Sequence, residues 1–177
     1  KGVARNPPCT RQRGAWREAR CALSRPTFYR WPLDLSTACW FIIPAMTDDD
    51  FLRSFAACPL PPDQSNHAGH IRLAWINLQR HGFDDAVSAT CNGIRAYATH
   101  LGAATKFHHT ITVALLHLLR AGGATDRNLS WYQFVNANQA LVHNARAALA
   151  LHYSDARINS GEARECFVEP DLAPLPE

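Results

Sequence analysis

The sequence predicts an all-α protein, a single-domain bundle of about five helices with a flexible N-terminal extension and a proline-rich C-terminal tail. Three observations predict it. Apolar residues recur in alternating steps of four and three, as in Phe83, Val87, Thr90, Ile94, Tyr97 and Leu101, which is the spacing of one helical face. Start and stop signals bracket such stretches, with acids after Thr47 and glycines at 82, 102 and 122–123. No strand-type alternation competes with them anywhere in the 177 residues.

Residues 1–45 stand apart from the rest. They hold eight Lys/Arg against two Asp/Glu, five prolines and no histidine, and show no sustained periodicity. They are expected to be a disordered extension. Met46, the only methionine, directly precedes the first well-patterned stretch, so it is the expected natural start, with the helical domain running from 46 to 177.

The helices follow in order. "TDDDFLRSFAAC" places a cap at Thr47 or Asp48 and three acids in a first turn, where the helix dipole favours them, predicting a helix over about 48–57. Ile71, Ala74, Trp75 and Leu78 predict a second over about 66–80, stopped by His81-Gly82. The third runs from Phe83 to Leu101 and closes at Gly102; Gly93 inside it predicts a close helix crossing. The fourth, about 106–121, is apolar around most of its circumference and should be the central element. Phe134, Leu141, Val142, Ala145, Ala148 and Leu149 predict a fifth over about 131–152, with room for a break at Asn136 and Asn138. "ECFVEPDLAPLPE" should be an extended tail, over the domain or loose in solvent.

Composition bounds the function classes. Hydrophobic residues make up 47% and charged residues 19%, as in ordinary globular proteins. The longest apolar run, "ACWFIIPAM", falls far short of the ~20 residues a membrane-spanning helix needs. The six cysteines are scattered without a C-x-x-C pair, which favours reduced thiols and a cytoplasmic location. Neither a Gly-rich phosphate loop, H-E-x-x-H nor G-x-S-x-G occurs. No nucleotide cofactor and no nucleic-acid partner are expected.

The histidines carry the chemistry. On a helical wheel His67 lies on the line of Ile71, Ala74 and Leu78, with His70 at its edge, and His108 shares a face with Ile111, Leu115 and Leu119. His152 continues the face of Leu141, Ala145 and Leu149. If neighbouring helices are antiparallel, these positions meet at one pole, joined by Tyr97 and His100. Imidazoles at helix N-termini are biased to the neutral form, which binds metal or accepts a proton. His67, His70 and His108 are therefore candidate ligands of a mononuclear zinc, nickel or iron site, and His152 a fourth ligand or the catalytic acid/base. Since no Glu occurs between Met46 and Gly161, a carboxylate-bridged di-iron centre is not expected. Asn66, Thr110, Tyr153 and Asp155 border the site, and Trp75 or Trp131 could wall a pocket.

Two other readings fit the same residues. The imidazoles could hydrogen-bond a small polar ligand without metal, or they could be core histidines of an interaction protein that forms homo-oligomers through its apolar helices.

"SNHAGHIRLAWINL", "KFHHTIT", "LHYSDARI" and "CFVEPDLAPLP", in this order, resemble an uncharacterised family of small helical bacterial proteins. The resemblance covers about residues 47–176 and implies motif positions at His67, His70, His108 and His152; His109 departs from it, where an acid is commoner. It implies no reaction. By fold analogy alone, histidine-lined four-helix bundles of the DinB type bind one divalent metal and act as thiol-dependent transferases or hydrolases.

Overall fold

A computed structural model describes residues 46–57 and 67–177, and among them every regular element is helical, with no strand. The extension expected over 1–45 and the border residue Asn66 lie outside the described residues. The described residues belong to one compact unit.

Helix α1 (Asp48–Ala57) starts at Thr47, whose Oγ1 accepts a hydrogen bond from the Asp50 N–H at 3.1 Å. Its acids also fasten it to α2 (His67–Arg80): Arg72 Nη2 donates to the Met46 carbonyl at 2.8 Å and to Asp48 at 3.1 Å, and Arg80 reaches Asp49 at 2.7 Å. Arg72 is buried and lies over the Phe51 ring, so this tie crosses the core rather than the surface.

Helix α3 (Phe83–His100) turns back from α2 across His81 and Gly82, and Gly102 closes it at a φ of +66°. A Cβ on Gly93 would stand 3.2 Å from Leu73 Cδ2, so the expected close crossing is present. Helix α4 (His109–Leu119) is central. Leu116 and Leu119 join the main core of Phe51, Phe55, Ile71, Ile76 and Phe134, while Ala114 packs into a second cluster with Leu149, Tyr153, Ala163 and Val168.

Two expected boundaries need correction. The fourth helix does not begin at 106: Ala104–Lys106 is a 3-10 turn, Phe107 and His108 are extended, and His108 is the cap. The fifth helix is not continuous over 131–152 but three short pieces, α5 (Trp131–Ala137), α6 (Gln139–His143) and α7 (Ala145–Leu149). Asparagine chemistry breaks it. Asn138 Nδ2 donates to the carbonyls of Gly122 and Phe134, each at 3.0 Å, and the Asn144 side chain accepts from the Ala147 N–H to restart the helix.

Ser154 and Ser160 cap the short helices α8 (Asp155–Ile158) and α9 (Gly161–Glu165), so Asp155 is the first helical residue rather than the cap. The tail then lies over the domain. Thr110 Oγ1 donates to the Cys166 carbonyl at 2.7 Å and accepts from the Val168 N–H at 3.1 Å, and Tyr153 Oη donates to the Val168 carbonyl at 3.0 Å. Among the described residues no helix is long and apolar enough to cross a membrane.

Candidate functional site

His108, Ile111, Thr112, Leu115, Leu116 and Leu119 form one stripe along α4 and its cap, and all six line a single cavity of about 360 Å³. Helix α2 contributes His67, His70, Ile71 and Ala74 at the same kind of spacing, and α3 adds Thr90 and Ile94. The opposite wall comes from Ala145, Arg146, Leu149 and Ala150, then from Tyr153, Asp155, Ile158 and Asn159, with Lys106 and Phe107 at the α4 end. The walls are mostly aliphatic. His67 and His70 stand in the first turn of α2, and Lys106 and His108 just before α4.

The three candidate ligands thus share one cavity, but in different chemical states. His108 is buried, its Nε2–H donates to the Ile158 carbonyl at 2.8 Å, and its Nδ1 accepts from the Ile111 N–H at 3.4 Å. Only the neutral Nε2–H tautomer serves both partners. Burial lowers its pKa, opposed by the Ile158 bond and reinforced by Arg164. His70 is half-buried and pushed down to about 4, chiefly by burial and secondarily by His67. His67, exposed at the mouth, is lowered by partial desolvation. Both rings line the cavity, and His70 meets the Phe55 ring edge-on at 6.3 Å.

With both ring nitrogens of His108 committed to backbone, no lone pair is left on it for a metal unless those bonds break. Among the described residues no group of three or more His, Cys, Asp or Glu side chains is arranged to hold a metal ion. His67, His70 and His108 thus line one cavity, with His108 engaged to backbone at both ring nitrogens.

His152 lies apart from the cavity. The break at Asn144 resets the helical phase, α7 ends at Leu149, and His152 falls in the turn beyond, where its Nδ1 bonds the Ala173 carbonyl at 3.2 Å. Tyr97 is buried against Phe55, ring centroids 4.9 Å apart, and His100 is exposed; neither lines the cavity. Trp75 and Trp131 pack on each other at 5.5 Å in the core instead of walling the cavity. Of the expected border residues, Tyr153 and Asp155 do line it, whereas Thr110 holds the tail.

The chain matches no family model, no curated protein and no solved structure. Its function is therefore argued from the cavity.

The sequence pattern did not point to Lys106, which ends the 3-10 turn before α4, to Arg146, whose direction follows from the restart at Asn144, or to Asn159, at the end of α8. Thr90 was visible as a hydroxyl within an apolar stripe. Fully buried, it accepts a hydrogen bond from Asn77 Nδ2 at 2.9 Å, and its own proton has no acceptor among the described residues. His117 bonds the Pro176 carbonyl at 3.2 Å and meets the Phe83 ring edge-on at 4.5 Å. His109 is half-buried beside Phe107, with its Nδ1 buried and unpartnered.

Proposed function

We propose that the chain binds a small, mainly apolar molecule in this cavity, with the neutral imidazoles of His67 and His70 meeting its polar group. The observation that carries the reading is a mostly aliphatic cavity of about 360 Å³ with the imidazoles of His67 and His70 in its lining. Both features belong to ligand sites, which run from about 300 Å³ upward and combine apolar walls with a few convergent polar groups. A packed core leaves no such volume.

The test is protein NMR with a set of small aliphatic and aromatic fragments, run on the wild type and on Leu115→Trp, which fills the middle of the cavity. Fragments that shift Ile71, Thr90 and Ile111 in the wild type and lose affinity at least tenfold in the variant support the reading. No cavity shifts from any fragment at millimolar concentration would sink it.

The spacing of His67 and His70, one turn apart on one helix and facing one cavity, favours a second reading as a divalent metal pair. Zinc, nickel or iron would then be held by these two rings and completed by the guest, giving the hydrolase or transferase chemistry that a metal-bound hydroxide supports. Equilibrium dialysis with zinc distinguishes the two: one ion per chain, lost in His67→Ala and His70→Ala, favours the metal.

A further inference from the structure

Resting on the ligand-binding reading above, we infer that the guest is a linear aliphatic carboxylate, its chain lying along α4 and its head group beside Lys106, His67 and His70.

Shape argues for a chain. The lining stripe from His108 to Leu119 climbs α4 by about 16 Å at 1.5 Å per residue. The cavity follows that stripe over about three turns of α4, an outline that suits an extended chain.

Chemistry along the length argues for which end is which. Leu115, Leu116, Leu119 and Leu149 line the α4 C-terminal part, where a hydrocarbon gains from leaving water. At the other end α2 and α4, helices of 14 and 11 residues, present their N-termini, where partial positive charge collects. Lys106 stands there with no ion pair among the described residues, and the rings of His67 and His70, which line the same cavity, carry N–H donors. A carboxylate satisfies these groups together, while an alkylammonium would be repelled by them. Asp155 on the same rim opposes an anion, but Lys106 and Arg146 leave the lining with a net positive charge.

The experiment is calorimetric titration at pH 7.5 of straight-chain carboxylates from hexanoate to tetradecanoate, each below its micelle concentration, beside the alkanols and alkylamines of equal length and naphthalene as a compact probe. Affinity for the carboxylates should rise about fourfold per methylene and level off near ten to twelve carbons, about the length of the stripe. Lys106→Glu, a change at an exposed side chain, should weaken the carboxylates about tenfold and leave the alkanols unmoved. Leu115→Trp should bring the levelling-off to a shorter chain.

Alkanols binding as tightly as carboxylates, with no effect of Lys106→Glu, would overturn the head-group assignment. A length optimum unchanged in Leu115→Trp would overturn the chain's path. Binding of naphthalene without the carboxylates would overturn this inference and leave the ligand-binding reading standing; binding of neither probe would overturn both.

Discussion

His108 joins a 3-10 turn to α4, and each of its ring nitrogens serves a backbone group: the Ile111 N–H of its own helix and the Ile158 carbonyl at the end of α8. One side chain thus caps the central helix and ties it to the far wall of the cavity. Replacement by leucine removes both bonds and leaves a half-buried carbonyl unpaired, which should destabilise the protein by about 2 kcal/mol. His108→Asn keeps a cap acceptor and should cost about half as much. Urea titration at pH 8 measures both; a leucine variant as stable as the wild type would show that these bonds contribute nothing. The inward placement of His67, His70 and His108 was readable in the sequence because each sits on an unbroken helical period or at its cap. The partners of His108 were not, since Ile158 lies fifty positions away.

Among the elements, α1 to α3 follow their local signals closely: Thr47 caps, Gly82 separates, Gly102 closes. Those signals act within one turn of the chain, so sequence alone exposes them. The break between α5 and α6 falls at Asn138, where the sequence leaves room for one, but the contact that holds it, Asn138 to Gly122 sixteen residues back, is not local. Gly122 is shaped for that contact, because a Cβ there would stand 2.4 Å from Asn138 Oδ1. Asn138→Leu and Gly122→Ala should each destabilise by about 1–2 kcal/mol. The double variant should cost clearly less than the sum of the two, because both changes remove the same interaction. Thermal unfolding of the four proteins closes the cycle; strict additivity would mean that the asparagine does not set the break. The Arg146 part of the cavity wall was illegible because its direction follows from the restart at Asn144.

For the molecule as a whole, His67, His70, His108, His109 and His117 are all held below the ordinary histidine value of 6.5, with burial the first cause in each. Each folded site therefore binds its proton later than the unfolded chain does as pH falls. Stability should be level above pH 7 and fall as pH drops from about 6.5 towards 4, the value to which His70 is pushed. Asp50 and Asp171, lowered by hydrogen bonds from Thr47 and Ser154, lose their contributions only below about 3.8, outside this window. Urea midpoints from pH 8 to 4.5 should show the decline, and His70→Gln should flatten it; a midpoint that holds steady or rises on acidification refutes the assignment. The tail bonds described above carry a further consequence, in the entropy of closing the chain. Helices α2 and α3 pair across a two-residue turn, whereas Thr110 joins Cys166 and Val168 across more than fifty residues. Closing the longer loop costs on the order of 3 kcal/mol more. Much of the chain's ordering thus depends on the wall formed by α4, Tyr153 and α8, and a guest touching both α2 and that wall would hold the loop shut from inside.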